Sequence, residues 1–157
     1  MKNSHLDAYD RKILSCIQED ASIPITKIAD MVNLSHNACW RRIKRLEDEN
    51  IISRRVTLLN PDALGLDLTA FVSIRASEHS EEWFEQLKNA VKNMPEVVEF
   101  YRMTGDVDYL LKLKVANITA YDAAYKRLIK AVRLNDVSSA FSMEEIKYTT
   151  ALPILTV

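Results

Sequence analysis

Between Ser35 and Glu47 the chain reads SHNACWRRIKRLE, and this stretch carries two kinds of surface on one short helix. Cys39, Ile43 and Leu46 recur at four- and three-residue spacing, which makes one apolar face. His36, Asn37, Trp40, Arg41, Arg42, Lys44 and Arg45 fall between them and offer hydrogen-bonding, stacking and cationic groups to solvent. The hydroxyl of Ser35 can cap the start by accepting from a first-turn amide, and the helix N-terminus there suits a phosphate. Asn37 can bond adenine bidentately and Arg41 guanine, while His36 can donate to a base or a phosphate. Arg42, Lys44 and Arg45 suit phosphates, which position a protein without reading its sequence. Arg54 and Arg55 lie a few residues on and could reach flanking backbone. A helix that packs by one side and shows such groups on the other is what major-groove reading needs.

Each of these assignments has a plainer competitor. Trp40 lies one step from Cys39, so it packs on a neighbouring element or touches a thymine methyl. Arg42 contacts phosphate or pairs with an acid such as Asp10 or Glu47. Arg54 and Arg55 are phosphate contacts or solvated side chains. The basic stripe as a whole could be a solvated helix face, offset by Glu47, Asp48 and Glu49.

A second constellation lies at Gly105-Asp106-Val107-Asp108. Gly105 permits positive φ and exposes amides without a side chain in the way. An amino acid carries an ammonium and a carboxylate on one carbon. Asp106 or Asp108 could accept from the first, and turn amides could donate to the second. The competitor is an ordinary β-turn with ordinary Asp and Gly turn residues. The two carboxylates have no partner base, and no nucleophile–base pair or phosphate loop accompanies them. His5, His36 and His79 share no spacing with each other or with cysteine, so no zinc motif is seen. Cys16 and Cys39 both fall at apolar helix positions and read as free buried thiols.

These groups must be held by a chain of 157 residues that is 48% hydrophobic, enough for one ordinary or two small domains. No apolar run approaches the ~20 residues of a membrane span, and MKNSHLDAYDRK lacks a signal-peptide core. The expected location is the cytoplasm. Net charge is −1, but residues 1–60 hold 10 Lys/Arg against 8 Asp/Glu, and the remainder is acidic. A local basic stripe on a near-neutral chain suits a specific, salt-sensitive contact with nucleic acid.

Residues 7–20 predict a first helix with Ile13, Leu14 and Ile17 inward and Asp7 as cap. Pro24 disfavours helix at Ile23. A second helix is predicted over 26–32, with Ile28, Ala29 and Val32 inward. Asn33-Leu34 makes a tight turn, and the third helix runs from Ser35 to near Asn50. Three helices with a short turn before the third make a helix-turn-helix. Ile51–Leu59 reads as a short strand or two, a wing. Residues 60–68 read as a linker. A second module follows, with strands over 69–76, 97–104, 109–115 and 137–146, and helices over 80–93 and 121–134. That βαββαβ order is the ferredoxin-like arrangement. Its helices cover one sheet face, and self-association is the usual cover for the other.

Six segments in order resemble one family: LDAYDRKIL at 6–14, IADMVNLS at 28–35, CWRRIKRLE at 39–47, NPDALG at 60–65, TGDVDYLLKL at 104–113 and EEIKYTTALPI at 144–154. The chain resembles the Lrp/AsnC, or feast/famine, transcriptional regulators over essentially its whole length, and most closely their cysteine-detoxification (DecR-like) branch. The resemblance implies an α+β protein. A winged helix-turn-helix DNA-binding domain would span 1–59, a linker 60–68, and a βαββαβ effector (RAM) domain 69–157. It implies double-stranded DNA and a small amino-acid effector as partners, with homodimers assembling to octamers. No cofactor, catalysis or membrane is implied. Carried onto this chain, the effector position nominates Met103, Gly105, Asp106, Asp108, Tyr109, Leu110, Ser139 and Phe141. Ser139 would meet the ligand carboxylate, and Met103, Leu110 and Phe141 would shape a pocket for an amino acid of the cysteine, leucine or methionine class. The rival readings are a ligand-independent architectural DNA binder and an amino-acid-binding module of a metabolic enzyme.

Overall fold

A computed structural model describes residues 6–76, 78 and 80–154; His5 and His79 lie outside them. The chain forms two compact units. One holds residues up to 58 together with those from 147 onward, and the other is Leu59–Ile146.

In the first unit α1 spans Ala8–Glu19, α2 Ile25–Met31 and α3 His36–Asp48. Asp7 starts α1 with a capping box. Its carboxylate accepts from the Asp10 amide at 2.9 Å, and the Asp10 carboxylate accepts from the Asp7 amide at 3.1 Å. The hydroxyl of Ser35 caps α3 by accepting from Ala38 N at 3.3 Å. Asn33 and Asn50 take left-handed φ values of 57° and 58°, the conformation that asparagine tolerates at helix ends. Ile13, Leu14, Ile17, Ile28, Ala29, Val32, Cys39, Ile43 and Leu46 make the core.

Ile51–Leu59 does not form the expected strand. Ile51 N and Ile52 N donate to Leu46 O, and beyond them residues 53–59 are irregular, with no ladder among the described residues. β-branched residues favour an extended backbone, but a strand needs a partner for its amides.

The second unit runs β1 (Leu68–Ala76), α4 (Glu81–Lys92), β2 (Val97–Arg102), β3 (Tyr109–Val115), α5 (Ile118–Ala131) and β4 (Leu134–Phe141). The sheet order is β2-β3-β1-β4, with every pair antiparallel. Ala70, Val72 and Ile74 of β1 and Tyr109, Leu111, Leu113 and Val115 of β3 pack with Trp83, Leu87, Tyr121, Ala124 and Leu128 of the helices. By alternation, Phe71, Ser73, Arg75 and Leu110 point the other way.

Several boundaries differ from the sequence expectation: β2 ends at Arg102 rather than 104, and α5 is Ile118–Ala131 rather than 121–134. α5 starts three residues early because Asn117 Oδ1 accepts from Ala120 N at 2.9 Å and caps it there. β4 occupies 134–141 rather than 137–146. Pairing ends at Ala70 with Phe141, Ser142 N still donates to Thr69 O at 2.9 Å, and β1 begins at Leu68, so residues 144–146 run past its end. The linker carries one 3₁₀ turn, Asp62–Leu64, closed by Gly65 at φ +68°.

Candidate nucleic-acid interface and effector turn

α3 splits its side chains as its spacing requires. Cys39, Ile43 and Leu46 are buried, and His36, Asn37, Trp40, Arg41 and Lys44 are exposed. Trp40 is 50% exposed, so half of its surface is covered by the protein and half is open to solvent. His36, Asn37, Trp40, Arg41 and Lys44 share one outward face at helical spacing.

Arg42 and Arg45 turn instead toward α1. Arg42 Nη1 donates to Asp7 Oδ2 at 2.7 Å and to Asp10 Oδ1 at 2.8 Å, while Arg45 Nη2 donates to Asp10 Oδ2 at 2.6 Å. Arg42 also lies 5.4 Å over the Tyr9 ring. Asp10 is 1% exposed, and a carboxylate so buried is costly without its partners. The amide of Asp10 and the Arg42 guanidinium hold the Asp7 carboxyl below its ordinary value. In turn the two carboxylates, Asp7 foremost, push Arg42 above its own. Of the basic residues assigned to phosphate, Arg42 is therefore spent on joining α1 to α3. Arg45 keeps a 42% exposed side chain.

Lys44 pairs with Asp48 at 2.8 Å and Arg55 with Glu47 at 3.1 Å, all on the surface. Such pairs are weak and can exchange for phosphate. Among the described residues neither Arg41 nor Arg54 makes an ion pair.

The second candidate site separates into four places. Met103, Gly105, Asp106 and Asp108 form a turn between β2 and β3. Gly105 has φ +104°, with open space where a Cβ would stand, so backbone conformation alone calls for glycine. Met103 N donates to Asp108 O at 2.8 Å and Asp108 N to Ile74 O at 3.1 Å. Asp108 Oδ2 accepts from Ala76 N at 2.8 Å, so this carboxylate also ties the turn to the irregular end of β1.

Tyr109 is a core residue, 4% exposed, with ring centroids 5.7–5.8 Å from Trp83, Phe84 and Phe100. Ser139 Oγ shares a short hydrogen bond with the Tyr121 hydroxyl, and Phe141 meets the Tyr121 ring edge-on at 5.0 Å. Leu110 faces the uncovered side of the sheet. A single chain thus does not gather the eight nominated residues into one cavity.

Sequence reasoning passed over Arg75, whose Nε donates to Asp106 O at 2.8 Å. This places a cation beside the turn, and the signal available was an arginine inside an otherwise apolar strand. It also passed over Gln18, which binds the chain's C-terminal segment. Among the described residues no group of three or more His, Cys, Asp or Glu could hold a metal, and no helix is long and apolar enough to cross a membrane.

Residues 6–53 match a winged helix-turn-helix DNA-binding domain, and residues 69–152 match the Lrp/AsnC ligand binding domain. The chain belongs to the Lrp/AsnC family. Among Lrp/AsnC proteins and their relatives, the glutamate uptake regulatory protein of Zymomonas mobilis is 51% identical over 149 residues, covering 95% of this chain and 91% of its own length. The DNA-binding transcriptional activator DecR of Escherichia coli is 49% identical over 150 residues, covering 95% and 99%. A Neisseria meningitidis transcriptional regulator, solved as its L-Met complex, superposes with a TM-score of 0.91 at 33% identity, covering 95% of this chain and 97% of that one. This Lrp/AsnC chain is a DNA-binding transcriptional regulator with a ligand-binding domain, and not an enzyme.

Proposed function

We propose that this regulator couples the concentration of a small amino acid to DNA affinity. The observation that carries the reading is the two-sided α3: a buried Cys39–Ile43–Leu46 stripe backs an exposed His36, Asn37, Trp40, Arg41 and Lys44. Asn37 and Arg41 read bases, with His36 and Trp40 beside them. Ser35, Lys44, Arg45 and Arg54 meet the phosphate backbone. Arg42 acts from behind, by holding α3 to α1.

The chain works as a homodimer that assembles further, to an octamer, in the cytoplasm where its DNA lies. Dimer symmetry sets two α3 helices one DNA turn, about 34 Å, apart. The effector binds between effector domains of neighbouring chains. Met103, Gly105, Asp106 and Asp108 supply the turn, and Leu110, Ser139 and Phe141 come from the adjoining faces. That the nominated residues do not meet within one chain agrees with a site completed by a second. Methionine is the first candidate because a relative 33% identical binds L-Met, with leucine and cysteine next. A ligand changes DNA affinity only if it favours one assembly over another.

The test is thermal unfolding of the full chain with each of the twenty amino acids, since a ligand that binds only the folded state raises the midpoint. A selective rise with methionine, leucine or cysteine that disappears in Asp106→Ala supports the reading. No rise with any amino acid refutes it and favours the ligand-independent architectural binder.

A further inference from the structure

The C-terminal segment belongs to the DNA-binding unit. Residues from 147 onward fall in that unit, although they follow β4 by only five residues. Two hydrogen bonds tie this segment to α1. Gln18 Nε2 donates to Leu152 O at 3.1 Å, and Leu152 N donates back to Gln18 Oε1 at 3.0 Å. Two residues on, Ile154 packs against the same core as Ile51 and Ile52.

Ile51 and Ile52 are the root of the irregular arm, residues 51–58, that carries Arg54 and Arg55. Among the described residues no backbone hydrogen bond holds 53–58, and Val56 and Leu58 are exposed. Arg55 pairs with Glu47 of α3. Residues of the arm, the tail and α1, Leu14 and Ile17 among them, line one groove of about 1120 Å³. An arm without a ladder takes its direction from what packs at its root, and the tail is part of that packing.

We propose that residues 147–154 are a strap that sets the direction of the 51–58 arm, so that the contact of Arg54 with the DNA backbone depends on the clamp between Gln18 and Leu152. Gln18 is then a positioning residue for a DNA contact it does not make. This rests on the reading of Arg54 as a phosphate contact.

The experiment is a double-mutant cycle in the full chain, with binding measured to a duplex selected from random sequence by the unmodified protein. With Gln18 intact, Arg54→Ala should weaken binding about fivefold and make the salt dependence about one unit shallower. In the Gln18→Ala background, and in a chain ending at Thr149, the same substitution should cost less than about twofold. Trypsin should also cut after Arg54 and Arg55 several-fold faster in Gln18→Ala. Equal losses in both backgrounds, or an unchanged cleavage rate, overturn the strap and leave the Arg54 contact standing. No effect of Arg54→Ala with Gln18 intact overturns the contact, and the inference with it.

Discussion

Asp10 closes the α1 capping box and receives both Arg42 and Arg45. Losing a capping residue costs about 1 kcal/mol, and hydrogen bonds to charged groups are worth roughly 1.5–3 kcal/mol. Asp10→Ala should therefore destabilise the first unit by on the order of 3 kcal/mol in urea unfolding; a loss under about 1 kcal/mol would show that the arginines hold nothing together. Asp7 adds a pH dependence. Its folded pKa is lowered, chiefly by the Asp10 amide and then by Arg42, against an unfolded value near ~3.9. The stabilisation is thus fully present above the unfolded value and is lost as pH falls through the folded one. Asn keeps the cap without the titration, so the stability gap between the unmodified protein and Asp7→Asn should be constant near neutrality and shrink below about pH 4. A gap that stays constant into acid would refute the assignment. On the outer face, Asn37→Ala and Arg41→Ala should each cost about 1–3 kcal/mol of binding and relax base preference, whereas Lys44→Ala should weaken all duplexes alike. Unchanged operator affinity in the first two would mean that α3 does not read the groove.

Helices were more legible than strand ends because a helix satisfies its own backbone. The apolar stripes of α1, α2 and α3 and the Asp7 and Ser35 caps lie where period and side-chain chemistry place them. The 51–59 arm and the end of β4 differ because pairing is decided by a distant segment. The turn between β2 and β3 is similar. Glycine at 105 can be read from the sequence as permissive, but its need for positive φ comes from the bonds that close the turn on Asp108 and Ile74. Gly105→Ala meets no clash, yet places an L residue at φ +104°, a strain of about 1–3 kcal/mol. It should lower the unfolding midpoint of the second unit, and an unchanged midpoint would mean that the turn relaxes freely.

The sheet of the second unit is covered on one side. On the other, Phe71 is 37% exposed and Tyr101 49% exposed, beside Leu110. If chains associate through this face, a charge at its centre should separate them. Phe71→Asp is expected to reduce the molar mass in sedimentation to that of smaller species while unfolding stays cooperative. A mass equal to that of the unmodified protein would place the contact elsewhere.

By itself the sequence determined what is local. Three helices, the Asp7 and Ser35 caps, the two-sided α3 and the βαββαβ order all follow from spacing and capping chemistry along a short stretch of chain. Only tertiary structure decided which arginines remain available for DNA. Asp10 lies more than thirty residues before Arg42 and Arg45, and no spacing rule on α3 reveals that Arg42 is committed to α1 while Arg45 keeps an exposed side chain. The same holds for the site residues on the sheet. Alternation along β3 puts Tyr109 and Leu110 on opposite faces, but only the packing of the helices decided that Tyr109 enters the core and Leu110 the open face. The clamp of Gln18 on Leu152 spans 134 residues. A contact of that range depends on where the fold brings the chain back, because its free energy comes from desolvation and hydrogen bonding at a surface that exists only once α1 and the arm are in place.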